Sequence, residues 1–475
     1  MAQPIRLTVL GAGPGGYAAA FYAADLGMQV TLVDEEKNPG GVCLYRGCIP
    51  SKALLHVAKV IDEARHANKW GVSFGEPAID VARLRAYKDS VVEKLTSGTG
   101  TIAKMRKVNF VQGRATLTGP KSLKVAGATG TTDVAFDYLI LATGSHPTKV
   151  PTLALDSPRM MDSTGALDLP DVPKSLLVVG GGYIGLELGS VYATLGSKVT
   201  VVEMTPTLLP GADRDLVQVL EKRLKGLFSA ILVNTKVVKV SEEKGDAATA
   251  GIRVTFEGEV AEKEQVFDRV LVSIGRRPNS KIPGLETTRV KVDAKGFIES
   301  DAQRRTAEPT IFVIGDVAGE PMLAHKASHE ARVAVEAIAG HKAVFEPQAI
   351  PAVVFTDPEI AWCGYTEAQA KAQNLDVEIA KFPWAASGRA ISIDRPDGLT
   401  KLVVEKKTGR ILGVGLVGSG AGELISEGAL AIEMGATAED LKLVIHPHPT
   451  LSETVMESAE VFFGQATHVF RPVKK

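Results

Sequence analysis

The sequence predicts an α/β protein with a separate α+β region at its carboxy-terminal end, and three observations lead there. A strand, glycine turn, helix, strand pattern occurs twice, 169 positions apart. Residues 237–272 then read as strands with alternating apolar positions, ending in DRVLVSIG before Gly275. From about residue 349, strand runs PAVVF, KLVVE and ILGVGLVG alternate with helical stretches such as TEAQAKAQ and GALAIEMG. The length, 475 residues, suits about three domains. Apolar residues at 45% and charged residues at 23% fit a packed chain and exclude a disordered or collagen-like one. Fifty-four basic and 55 acidic residues leave a formal net charge of −1, which gives no whole-chain electrostatic case for nucleic acid or an anionic membrane. Three cysteines are too few for a disulfide scaffold. No apolar stretch reaches the roughly 18 residues of a spanning helix. IRLTVL begins at Ile5 and leads straight into glycines, so a soluble, cytoplasmic protein without nucleic-acid or membrane partners is expected.

In the first copy of the repeated pattern, IRLTVL is followed by Gly11, Gly13 and Gly16, a helical stretch, Val30-Thr31 and Val33-Asp34. In the second, SLLVVG supplies Gly180, followed by Gly182, Gly185, another helical stretch, Val199-Thr200 and Val202-Glu203. The interval from first glycine to terminal acid is 23 residues in both. A G-x-G-x-x-G between strand and helix, with an acid ending the next strand, is the context of dinucleotide binding. Its first glycine permits the tight turn, its second lets backbone approach a pyrophosphate, and its third allows helix to pack closely on strand. The pyrophosphate then meets the free N–H groups of the helix. Asp34 and Glu203 are each placed to accept from a ribose 2′-OH. The expected architecture is thus two Rossmann-like dinucleotide-binding domains followed by the α+β region. At the second site a carboxylate repels a 2′-phosphate and Met204-Thr205-Pro206 supplies no Arg, which favours NAD over NADP. An approach of Arg276 and Arg277 in GRRP to a 2′-phosphate from another strand stays open.

TIFVIGDV, Thr310 to Val317, reads as a buried strand ending in Gly315-Asp316. Asp316 suits either a sugar or polyol hydroxyl or a turn cap. Cys43 and Cys48 stand in GGVCLYRGCIPSK, while Cys363 is alone and reads as a packed side chain. The C-x4-C spacing lacks a second pair for a zinc site. Its sharper reading is a redox disulfide, which carries a geometric condition. Positions five apart in a regular helix lie about 8.6 Å apart at Cα, whereas a disulfide takes about 4.4–6.8 Å. The helix must therefore be distorted, and Gly47, with Gly40-Gly41 before it, makes distortion cheap. A helix amino end favours the reactive thiolate, and Arg46 either adds to that or is a solvated charge.

GAGPGG, the cysteine segment, LATGS, GGGYIGLE, VIGDV, MLAHKA and HPHPTLSE occur in this order along essentially the whole chain. Together they resemble the flavin-dependent pyridine nucleotide-disulfide oxidoreductases, within them the dihydrolipoamide-oxidising branch. The resemblance implies an FAD-binding domain over 1–148 and 282–348, an NAD-binding domain over 149–281 and a dimerisation domain over 349–475. It implies that FAD occupies the first glycine turn and NAD the second, with Gly275 also at a cofactor site. Asp34 would contact the adenosine ribose of FAD, Ala115 would offer backbone nearby, Asp316 would hold the flavin side chain and Ala324 would lie near the ring. Lys52 resembles the lysine near flavin N5, with Glu187 as its acidic partner.

The same resemblance makes Cys43–Cys48 the redox disulfide, attacked at Cys43, with Cys48 next to the flavin. His448 is then the acid–base residue, oriented by Glu453, and His446 packs the turn. That histidine reaches the other subunit's active site, which implies a homodimer. Further implied partners are the lipoyl domains and acyltransferase core of 2-oxoacid dehydrogenase complexes, with glycine cleavage as another setting; no metal is implied. Tyr45-Arg46 departs from the family's usual Asn-Val and is expected to bear on redox potential and substrate access. Tyr183 resembles the tyrosine that covers the nicotinamide pocket of glutathione reductases.

Overall fold

The computed structural model describes residues 3–245 and 250–470. Its amino-terminal unit opens with β1 (Arg6–Leu10), α1 (Pro14–Asp25) and β2 (Gln29–Asp34). β1 runs parallel to β2 on one side and to Tyr138–Leu141 on the other. Asn109–Gln112 joins the β2 edge, and Ile311–Val313 the opposite edge. One parallel sheet therefore draws on residues near both ends of the first 340. Helices cover both faces of such a sheet, so its strands are near-continuously apolar: Leu7, Val9, Leu32 and Val33 are all buried.

The second unit repeats the scheme around Ser175–Val179, which lies between Lys198–Val202 and Arg269–Val272 in a second five-stranded parallel sheet. The expected strands over 237–272 form Thr235–Glu243, Gly251–Gly258, Glu264–Phe267 and Arg269–Val272; residues 246–249 of that stretch lie outside the described residues. The first three make an antiparallel sheet and the last joins the parallel one. The strand read over 310–317 is shorter than expected. It covers Ile311–Val313, because Gly315 at φ 77° turns the chain into a 3-10 turn over Gly315–Ala318 that carries Asp316.

The carboxy-terminal region is α+β. Its antiparallel sheet runs Ala352–Val354, Glu359–Gly364, Ile411–Gly418, Leu399–Glu405, Val377–Pro383, and the helices Ala421–Glu433 and Glu453–Phe463 pack on it. The TEAQ stretch begins a helix over Glu367–Ala372, where Thr366 and Gln369 form a reciprocal cap. Cys363 is buried in this core, in keeping with its reading as a packed side chain.

A buried lysine ties this region to the second unit. Lys401, 1% exposed, sits 2.6 Å from Asp213, 2.8 Å from Asp215 and 2.9 Å from Glu367, while Lys381 lies 2.7 Å from Asp215 and 2.9 Å from Glu367. Burial pushes Asp215 and Glu367 up, but their bonds to the two lysines outweigh it and hold both carboxyls below their ordinary range. The lysines supply the cationic charge within this acidic cluster. Lys401→Met leaves three carboxylates facing one cation and should destabilise the protein by about 3–5 kcal/mol near neutral pH. Since the wild-type contribution is present above the ordinary carboxylate pKa and lost below it, the difference in thermal midpoint between variant and wild type should shrink below about pH 4.

Candidate active site

The two glycine turns are built alike down to single hydrogen bonds. Gly11, at φ 97°, donates its N–H to Val33 O at 2.8 Å, and Gly180, at φ 109°, to Val202 O at 2.9 Å. Next, Ala12 N–H reaches Asp34 Oδ2 at 2.6 Å, and Gly181 N–H reaches Glu203 Oε2 at 2.7 Å. The second oxygen of each acid takes the N–H two residues on, Glu36 at 2.9 Å and Thr205 at 2.8 Å. The terminal acids thus lock the turns. A carboxylate has about four lone-pair sites, so two remain for a ribose. Asp34 is pushed upward by burial, against the Ala12 N–H and the positive charge of Arg46. Any side chain on the third glycine is forbidden: a Cβ would lie 1.8 Å from Gly11 O at Gly16 and 2.3 Å from Gly180 O at Gly185. At the second glycine the space is open, since a Cβ at Gly182 would meet nothing within 4 Å and at Gly13 only Gly41 at 3.9 Å. Both positions fit a pyrophosphate lying against backbone.

The first turn opens into a cavity of about 350 Å³ that runs past Cys43, Cys48 and Lys52 to Asp316 and Ala324, the first residue of the helix Ala324–Ile338. A second cavity of about 620 Å³ shares Gly11 and Asp34 with it and includes Ala115. The two form a groove suited to an extended dinucleotide, with residues fitted to FAD along its length.

The distortion that the cysteine spacing requires is present at Gly47. α2 (Gly41–Arg46) stops and α3 (Cys48–His66) starts anew, with Gly47 between them at φ −144° and ψ −115°. A Cβ on Gly47 would lie 2.8 Å from Val42 O and 3.2 Å from Cys43 Cα, so glycine allows the close approach. The two side chains are thiols here and hydrogen-bond to each other. Cys43 is pushed well above the ordinary thiol range by that bond and by burial. Cys48 moves the other way, to about 7, because Cys43 donates to its sulfur and Lys52 adds positive charge, overcoming burial. Its place at the first residue of a 19-residue helix favours the thiolate further.

Opposite Cys48, Glu187 from the helix Tyr183–Leu195 is buried at 3% exposure. Its Oε2 accepts from Lys52 Nζ at 2.9 Å and Ser51 Oγ at 3.1 Å, and its Oε1 accepts from Phe355 N–H at 2.9 Å. The Lys52 ammonium also stands 4.3 Å over the Phe355 ring. Tyr183, 41% exposed, borders the same cavity at the start of that helix.

Several participants carry no local sequence signal. Ser145 Oγ donates to Asp316 Oδ2 at 2.5 Å and accepts from Arg276 Nε at 2.7 Å. Arg276 is therefore engaged on the flavin side, and Arg277 borders the cavity with Ala115. Gly275, at φ 106°, holds Thr148 N–H at 3.0 Å through its carbonyl. Glu330, fully buried, takes Gly315 N–H at 2.6 Å and the Lys326 ammonium at 3.0 Å, fixing the turn that bears Asp316. Lys326 was in reach of sequence reading through MLAHKA; Glu330 was not.

His448 stands apart from this cavity. Its Nδ1 lies 2.9 Å from Glu453 Oε1, and the other oxygen of Glu453 accepts Thr450 N–H at 2.7 Å. Burial opposes these bonds, yet they hold the Glu453 carboxyl below its ordinary value. The His448 side chain is 75% exposed, whereas that of His446 is 4% exposed and bonded to Glu427 at 2.7 Å. Leu443, Val444 and Ile445, all exposed, adjoin this turn.

Residues 5–331 match the family described as pyridine nucleotide-disulphide oxidoreductase, and residues 350–459 match its dimerisation domain. The chain is 51% identical to the dihydrolipoyl dehydrogenase of Vibrio cholerae, over 97% of this chain and 96% of that protein. It is 47% identical to the enzyme of that name from Geobacillus stearothermophilus, over 97% of each. Among solved structures it resembles LpdA from Mycobacterium tuberculosis, with a TM-score of 0.88 and 26% identity, over 96% of this chain and 99% of that one. The HOCl-induced flavoprotein disulfide reductase RclA of Escherichia coli gives 0.84 and 27%, over 95% and 98%.

The unequal thiols yield a measurable expectation. In the two-electron-reduced protein the ultraviolet thiolate absorbance should titrate with a midpoint at about 7. Cys43→Ala, which removes the main stabilising donor, should raise that midpoint more than Lys52→Met does. A midpoint unmoved by either variant would show that neither group sets the acidity of Cys48.

Proposed function

The chain belongs to the pyridine nucleotide-disulphide oxidoreductase family, and from that premise we propose which of its residues carry the reaction. It is an oxidoreductase with FAD and NAD(H) as cofactors, and it oxidises dihydrolipoamide to lipoamide with NAD⁺ as acceptor. The observation that supports our assignment best is the placement of Cys43 and Cys48 on either side of the helix break at Gly47, in one cavity with the Lys52–Glu187 pair.

His448 of the partner subunit, held by its own Glu453, takes the proton from one thiol of dihydrolipoamide. The resulting thiolate attacks Cys43 of the Cys43–Cys48 disulfide. The Cys43–Cys48 bond breaks, and Cys48 leaves with the electron pair because the lower-pKa thiol is the better leaving group. The second substrate thiol then attacks the mixed disulfide, releasing lipoamide and leaving Cys43 as the thiol, with its proton returned from the histidine. Lys52 holds the Cys48 thiolate by charge, and Glu187 holds Lys52. FAD held in this groove would supply an acceptor for the electron pair of the dithiol and a hydride donor for NAD⁺, and the second substrate proton goes to solvent.

Asp34, with Ala115 beside it, would hold the adenosine end of FAD, the Gly11–Gly16 turn its pyrophosphate, and Asp316 its polyol, with Ala324 near the ring. NAD would lie on the Gly180–Gly185 turn with Glu203 on its ribose. Because His448 is exposed and outside the cysteine cavity of its own chain, the arrangement calls for a homodimer through the carboxy-terminal region, in keeping with the dimerisation match. We further assign the chain to the cytoplasm, serving lipoyl domains on the acyltransferase core of a 2-oxoacid dehydrogenase complex or on the glycine cleavage system. No described helix is long and apolar enough to cross a membrane.

The purified protein, mixed with dihydrolipoamide and NAD⁺ without oxygen, should form NADH; none forming would remove the substrate assignment. His448→Gln should slow that turnover by about 10²–10⁴-fold, with flavin content as the folding control, and an unchanged rate would take the histidine out of the mechanism. Tyr183 borders the cavity where the nicotinamide would approach. Tyr183→Val should alter the rate of flavin reduction by NADH in stopped flow, and an identical rate would end its role as a gate.

A further inference from the structure

Arg46 is the charged residue that sets this redox helix apart, and the structure shows what it touches. It is the last residue of α2, three positions after Cys43 and just before the break at Gly47. Its Nη1 donates to Glu36 Oε1 at 2.7 Å, and its Nη2 pairs with the same oxygen. A guanidinium carries five N–H donors in a fixed fork; among the described residues this one hydrogen-bonds to Glu36 alone. Arg46 and Glu36 both border the cavity that contains the first glycine turn. The base of α2 rests on that turn, since a Cβ on Gly41 would lie 2.4 Å from Gly13 Cα.

Charge decides what occupies the free side of the fork. Asp34, Glu35 and Glu36 border the same end of the cavity, and three carboxylates repel an anion. Of the three cations bordering the cavity, Lys52 is paired with Glu187 and Arg276 with Ser145, both on the flavin side. The diphosphate is the one ionised part of oxidised FAD at neutral pH. Resting on the cofactor assignment above, we propose that Arg46 is a ligand of the FAD diphosphate, held in place by Glu36. Planar guanidinium and phosphate oxygens match in geometry as well as charge. The substitution of Tyr-Arg for the usual Asn-Val between the cysteines would then be a cofactor grip built into the redox helix.

The test removes FAD from the full-length protein and follows its rebinding by flavin fluorescence, with ADP and adenosine as competing probes. Arg46→Val should weaken FAD and ADP by the same factor, about 10- to 100-fold, while adenosine, which has no phosphate, binds as to wild type. Arg46→Lys keeps a charge without the fork and should lose less; it also guards against a valine variant that fails to fold. The proposal is overturned if Arg46→Val binds FAD as tightly as wild type. It is equally overturned if adenosine weakens as much as ADP, for then Arg46 shapes the pocket and does not hold phosphate. Wild-type protein that refuses FAD would overturn the cofactor assignment itself, a result distinct from both.

Discussion

The buried carboxylate of Glu187 is the constraint on which the rest of the structure depends. It belongs to the second parallel-sheet unit, yet its donors are Ser51 and Lys52 from the redox helix and the Phe355 N–H from the carboxy-terminal region. A charge at 3% exposure is tolerable only when its lone pairs are filled and a counter-ion is near. All three regions must therefore meet at one place for the fold to be free of a large penalty. Where they meet is the cavity that Cys48 shares with Tyr183, the first helical residue after the second glycine turn. The cost of burying one carboxylate is thus converted into a fixed relation between dithiol and cofactors.

The two glycine turns show how a repeated device serves different ends. Their locking bonds are the same, from the glycine N–H at the strand end to the acid that takes two further N–H groups. What differs is what sits on top. Beside the first turn, Gly41 at the start of α2 approaches Gly13 so closely that a Cβ on it would lie 2.4 Å from Gly13 Cα. On the second, Gly182 has open space above it.

Much of this was legible in the sequence because it depends on neighbours along the chain. The glycine spacing, the acid 23 positions on and the glycine needed between the cysteines each follow from local geometry. The strand placed over 310–317 ran too long because its apolar run continues to Val317 although Gly315 has already turned the chain. Networks joining distant segments were not legible. Ser145 meets Asp316 171 positions away and Arg276 131 away, and Glu187 takes an N–H 168 positions on. A backbone N–H such as that of Phe355 carries no side-chain signature at all. Glu330 reads in sequence as an ordinary helix carboxylate, and only tertiary packing places it beneath the Asp316 turn.

His448 brings the remaining constraint, one that a single chain leaves unmet. Its dyad with Glu453 is complete within the chain, and the cysteine cavity is complete within the chain, but the two are separate. An imidazole exposed to water over three-quarters of its side chain has nothing in its own chain to orient a substrate against. Beside it, Leu443, Val444 and Ile445 leave apolar surface that burial against a second copy would remove from water. The same event that covers those side chains would bring the dyad to a partner's dithiol. Association would then create the active site as well as stabilise the fold, and a monomer would carry both halves of the chemistry while performing none of it.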